Sequence, residues 1–68
     1  MITEKVGLRI KEQRNKLGLS QEKLALKADI DRTYLAGVEL GKRNLSIKSL
    51  EKIIVALDIT FEDFFKGL

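Results

Sequence analysis

Two polar strings concentrate the groups that could hold an anionic partner. One is Arg32-Thr33-Tyr34, and the other is Lys42-Arg43-Asn44 a little further on, with Gln21 ahead of both and Ser46 and Lys48 behind. A guanidinium presents a planar fork of donors to a pair of oxygens, an ammonium is a point charge, and amides and hydroxyls add single hydrogen bonds. This is the chemistry of recognition. Covalent chemistry is poorly supplied, because the 68 residues include no Cys and no His. There is no thiol nucleophile, no imidazole base and none of the commonest zinc ligands. Asp29 and Asp31 flank one residue, and Glu62 and Asp63 are adjacent, but neither pair comes with a nucleophile, a metal-ligand set or a phosphate-cradling glycine loop. They read as helix caps or dipole partners. We expect no enzyme and no cofactor.

The charge balance agrees with an anionic partner at one end. Lys and Arg number 13 against 10 Asp and Glu, a net charge of +3. Residues 1–28 carry seven cations and three anions, whereas residues 46–68 carry three and four. A basic half can face a polyanion while the other half need not. No apolar run approaches the ~18 residues of a membrane span, and no apolar core of a secretory signal opens the chain. The expectation is one small, soluble, cytoplasmic domain over residues 1–68, with no membrane contact. No sensing domain is expected after it, so switching would rest on concentration and dimerisation.

The elements that must position these groups are helices. Ile2, Val6, Ile10 and Leu17 repeat along a first helix that ends near Leu17 with Gly18 as its left-handed cap. Ser20 reads as the N-cap of a second helix from Gln21 to about Ala28, with Leu24, Ala25 and Ala28 inward. Asp31 opens a third through about Leu40, with Leu35 and Val38 inward, and Gly41 ends it. Ser46 caps a fourth, in which Ile47, Leu50, Ile53, Ile54 and Leu57 repeat, and Thr60 with Asp63 opens a short fifth holding Phe61, Phe64 and Phe65. No segment alternates as a strand would, so the fold class is all-α with five helices.

The second and third helices are separated by only a few residues, which is the helix-turn-helix arrangement. In it the first helix braces on the phosphate backbone and the second projects side chains into the major groove of double-stranded DNA. The segment Leu19–Ile53 resembles the helix-turn-helix domain shared by small phage repressors and Xre-type bacterial regulators. The marks are Leu19-Ser20-Gln21, Leu24-Ala25, Ala28, Ile30, Leu35, Val38-Glu39 and Gly41-Lys42, and the likeness spans about residues 5–65. Asp31-Arg32-Thr33-Tyr34-Leu35 and Gly41-Lys42-Arg43-Asn44 look most like the controller proteins of restriction–modification systems. The resemblance implies a phage-repressor-like fold, a homodimer, an operator with two related half-sites, and transcriptional control that often includes the protein's own gene. It also implies a partly buried structural ion pair between Arg14 and Glu39.

Within that frame Arg32 and Thr33 open the recognition helix, where side chains reach base edges, the guanidinium pairing with guanine and the threonine meeting thymine. Tyr34 is counted with Arg32 and Thr33 among the base-reading residues; its ring either packs on the sugar–phosphate wall, its hydroxyl on a phosphate, or half-buries beside the first helix. Ala36 and Gly37 are small where the family often carries polar readers. They would admit the helix deeply, Ala36 against a thymine methyl, and leave part of the specificity to DNA shape. Gln21, at the start of the bracing helix, suits a phosphate, as do Lys42, Arg43 and Asn44, with Arg43 also able to enter the minor groove. Ser46 and Lys48 extend the clamp, although Ser46 is already explained as a cap. Lys5, Arg9, Lys11 and Lys16 read as solvated charges.

At the C-terminus, three Phe in a short helix exceed what one face can bury. We expect Phe61 or Phe64 inward and a homodimer patch from Val55, Ile59, Phe61, Phe65 and Leu68. An activator would need RNA polymerase as a further partner, and Glu22, Glu51 and Asp58 are nominal contacts for it. An alternative reading is an antitoxin-like module whose main partner is a protein. It accounts for the apolar C-terminus but not for the convergence of Gln21, Arg32, Lys42 and Arg43.

Overall fold

Each helix after the first begins where a short polar side chain can satisfy an orphan backbone N–H. In the computed structural model, which describes residues 1–68, these helices are α2 (Gln21–Ala28), α3 (Arg32–Glu39), α4 (Ile47–Ala56) and α5 (Phe61–Phe65), preceded by α1 (Ile2–Lys16). The Ser20 hydroxyl accepts from the Lys23 N–H at 3.1 Å, and Asp31 Oδ2 accepts from Tyr34 at 3.1 Å. Ser46 accepts from Ser49 at 3.1 Å and Thr60 from Asp63 at 3.0 Å. All four expected caps are present, each an interaction of ~1 kcal/mol. Gly18 and Gly41 take the left-handed conformation expected of them, with φ of 69° and 75°. Asp29 takes it too, at φ 57°, as the C-cap of α2. Aspartate is among the few residues that tolerate this conformation, so the turn between α2 and α3 is made without glycine.

The five helices close on one core of Val6, Ile10, Leu24, Ala25, Ala28, Leu35, Val38, Ile53, Ile54, Ala56, Leu57 and Phe64. The inward positions of α2 and α3 are as the periodicity predicts, and of the two Phe considered for the interior, Phe64 is the one buried. Three members of the predicted stripes are corrected. Ile2, Leu17 and Ile47 are 63%, 49% and 83% exposed. Ile2 and Ile47 are first residues of their helices, and Leu17 lies just past the end of α1. Helix ends overhang the packed layer, and each i,i+4 step overshoots a full turn by about 40°.

Two contacts set α1 against α3. Gly7 is buried, and a Cβ built on it would lie 2.1 Å from the Val38 carbonyl oxygen and 3.0 Å from that of Glu39. The helices therefore cross backbone to backbone. Beyond the crossing, Arg14 Nε donates to Glu39 Oε2 at 2.7 Å and Nη2 donates to Oε1 at 3.0 Å, a two-pronged pair. The two side chains are only 10% and 2% exposed. Arg14 Nη1 also donates to the Leu19 carbonyl at 2.8 Å, and Gln21 Nε2 donates to Glu39 Oε1 at 3.0 Å. The expected ion pair is thus the centre of a network joining α1, the loop after it, the start of α2 and the end of α3.

Two stability measurements follow. Gly→Ala in an open helix position raises stability by roughly 0.5–1 kcal/mol. At Gly7 the sign should reverse, because the new methyl meets a backbone carbonyl: we expect a destabilisation of at least ~1–3 kcal/mol. That is a fall of ~4–8 °C in Tm per kcal/mol for a domain of this size. Glu39→Ala strands the Arg14 guanidinium and should cost ~3–5 kcal/mol in urea denaturation, whereas Arg14→Met/Glu39→Leu together should recover much of it. A change within the ~0.5 kcal/mol of ordinary surface substitutions would show that Glu39 is not buried as described.

Candidate nucleic-acid interface

The α2–α3 turn fixes where the third helix points. The Ile30 N–H donates to the Ala25 carbonyl at 2.9 Å, closing α2, and the Ile30 side chain packs on the core. One residue later Asp31 caps α3. With Leu35 and Val38 buried, Arg32 and Thr33 must emerge at the open N-terminal end of α3. Both are exposed, and neither side chain is taken up by a hydrogen bond or ion pair within the molecule. Ala36 and Gly37 continue the same side of the helix and are half-buried.

The loop after α3 folds back along this exposed side. The Lys42 N–H donates to the Gly37 carbonyl at 2.9 Å. Arg43 places its guanidinium over the Tyr34 ring, 5.2 Å from the centroid, a cation–π contact. The Tyr34 hydroxyl donates to the Asn44 carbonyl at 3.0 Å. Tyr34 is therefore half-buried, as one of the two expectations had it, with its ring packed on the core and held by the loop. Its hydroxyl hydrogen is committed, which leaves the phenol oxygen only as an acceptor and removes the donor that the phosphate reading required. Lys42, Arg43, the Asn44 side chain and Lys48 are exposed.

Two other expected roles are changed by internal partners. The Ser46 hydroxyl accepts from the Ser49 N–H and donates to the Ser49 hydroxyl at 3.0 Å, so it has no hydrogen left for a phosphate. Gln21 commits one amide hydrogen to Glu39. An amide nitrogen carries two, and the second is free at the start of α2, beside backbone N–H groups that helices leave unpaired. Arg9 is a clear correction. It is not a solvated charge: its Nη1 donates to the Phe64 carbonyl and to the Lys66 carbonyl at 3.1 Å, tying the end of α5 to α1.

The C-terminal residues divide between two surfaces. Val55 and Ile59 line one shallow groove with Asp58, Thr60 and Asp63. Phe65 lines a different recess of about 210 Å³, shared with Ile2, Val6, Val38, Leu45 and Leu50 and edged by Arg43. Phe61 and Leu68 are exposed. Phe65 packs edge-to-face on the buried Phe64, centroids 5.0 Å apart. Val55, Phe61, Phe65 and Leu68 are thus exposed apolar side chains, whereas Ile59 is half-buried against the core, and the five do not share one groove.

Geometry of this kind is shared with known proteins. The family model described as helix-turn-helix matches residues 10–64. The control protein C.MunI of Mycoplasma sp is 45% identical over 58 residues, 85% of this chain and 78% of that protein. The restriction–modification controller protein C.AhdI of Aeromonas hydrophila superposes with a TM-score of 0.89 at 44% identity, covering 93% of this chain and 96% of that one. A tetramer of the controller protein C.Esp1396I, solved with its natural 35-base-pair operator, superposes with a TM-score of 0.92 at 44% identity, covering 97% of this chain and 87% of that one. The chain belongs to the helix-turn-helix family, and within it to the restriction–modification controller proteins.

Proposed function

We propose that this chain is a sequence-specific, double-stranded DNA-binding transcriptional regulator that acts as a homodimer, controls its own gene and serves as a restriction–modification controller protein. Residues 1–68 form its single helix-turn-helix domain, and it works in the cytoplasm. The observation that carries the reading is the pair Arg32 and Thr33, free of internal partners at the open end of α3, with the cationic Lys42–Asn44 loop folded back onto Tyr34 and Gly37 of the same helix. The C.Esp1396I tetramer on its operator supports it, from a relative alike over nearly the whole chain.

The roles follow from what each group still has to offer. Arg32 and Thr33 read bases, and Ala36 meets a thymine methyl. The second amide hydrogen of Gln21 and the N-terminal N–H groups of α2 hold one phosphate, with Glu39 behind the glutamine to fix its direction. Lys42, Arg43, the Asn44 side chain and Lys48 hold others. Ser46 keeps its place as the cap of α4. Val55, Ile59, Phe61, Phe65 and Leu68 supply apolar surface to a twofold interface, which sets two recognition helices ~34 Å apart on successive major grooves. Glu22 and Glu51 are the exposed acids an activator would offer to RNA polymerase, whereas Asp58 lies in the groove given to the twofold interface.

Fluorescence anisotropy tests this with the duplex upstream of the protein's own start codon, a scrambled duplex and two salt concentrations. Wild type should prefer the upstream duplex, and the preference should survive the higher salt. Arg32→Ala should erode it by ~1–3 kcal/mol, about 5- to 150-fold. Lys42→Ala should weaken both duplexes alike and flatten the salt slope by ~0.9 for each phosphate that is no longer neutralised. Equal weakening on both duplexes from Arg32→Ala would overturn the base-reading role, and equal binding by wild type that collapses with salt would overturn the regulator.

A further inference from the structure

We infer that Gly37 is a positioning residue for Arg43: the absence of a side chain there is the seat that aims the Arg43 guanidinium along the recognition helix. The inference rests on the proposed DNA-binding role of the loop and adds a residue to it. Gly37 lies within α3, where its φ is not left-handed, so no turn or strained conformation calls for glycine. Glycine is a poor helix former, so something else must favour it here. A Cβ built on Gly37 would lie 2.4 Å from Arg43 Cγ and 3.5 Å from both Cβ and Cδ. The aliphatic stem of Arg43 therefore runs directly over the bare Cα of Gly37. The obstacle is the middle of the side chain, not its free end, so it cannot be relieved while the guanidinium stays where it is.

The far end of that stem explains the direction. Arg43 leaves the loop beside Gly37 and ends over the ring of Tyr34, one turn nearer the N-terminus of α3. It is thereby held against the exposed turn of α3 that carries Tyr34 and Gly37. The loop is anchored at both sides of Arg43, by the Lys42 N–H on the Gly37 carbonyl and by the Tyr34 hydroxyl on the Asn44 carbonyl. An exposed arginine normally loses rotamer freedom when it meets a ligand. Here the seat, the ring and the two anchors have restricted it beforehand.

A double-mutant cycle on the upstream duplex separates this role from a plainer one, in which Gly37 merely lets the helix sit deeply in the groove. Arg43→Ala should weaken binding on the order of tenfold, as for one charged hydrogen bond. Gly37→Ala should weaken it about equally, while thermal melting shows Tm held or raised. In the Arg43→Ala background no Cγ remains to be struck, so Gly37→Ala should then cost less than about twofold, the coupling such cycles detect. A second readout needs no DNA: the side-chain NMR signals of Arg43, displaced by the Tyr34 ring current, should move to unstructured values in Gly37→Ala. Equal weakening by Gly37→Ala in both backgrounds, or unmoved Arg43 signals, would overturn the inference and leave the DNA-binding role of the loop standing. Wild-type binding by Arg43→Ala would instead overturn that role, and the inference with it.

Discussion

The geometry of the whole chain turns on one carboxylate. Glu39 ends α3, where the helix dipole is unfavourable to an anion, and it is almost completely removed from water. What stabilises it there is the fork of Arg14, whose two donors meet its two oxygens in a single orientation. Gly7 fixes the separation of α1 and α3, and the fork fixes their rotation. Neither contact alone would define the crossing. Gln21 then brings α2 into the same constraint, so α2 and α3 are referenced to α1 by one polar group in addition to the apolar core they share.

Signals that are local in sequence were legible. Ser20, Asp31, Ser46 and Thr60 cap helices because a cap needs only a side chain and an N–H three residues on. The middles of the helices could be read from periodicity as well. The ends could not, because a residue at a helix start has the right phase but no layer opposite it, as Ile2 and Ile47 do. The exposed placement of Arg32 and Thr33 was legible, since Leu35 and Val38 settle which side is inward. The Arg14–Glu39 pair came from resemblance, because nothing in their spacing brings them together.

Other parts of the site were hidden for a physical reason. Arg9 meets carbonyls on α5 that no local pattern announces. Gly7 and Gly37 act through what they lack, and an absence has meaning only once a neighbour is in place. The hydroxyls of Tyr34 and Ser46 are polar groups on the expected surface, yet each is already used within the molecule. Residue type indicates what a group could bind, whereas its internal partners determine what remains free to do so.

Arg32 and Thr33 stand outside this network of internal partners. They fill no cavity, cap nothing and pair with nothing, so exchanging them should barely disturb the folded state. The scaffold and the proposed reading residues are thus separable by mutation. A population of such chains could diversify in which duplexes they prefer without first passing through poorly folded forms. Two copies with different residues at these positions could work in one cell as mutually insulated circuits.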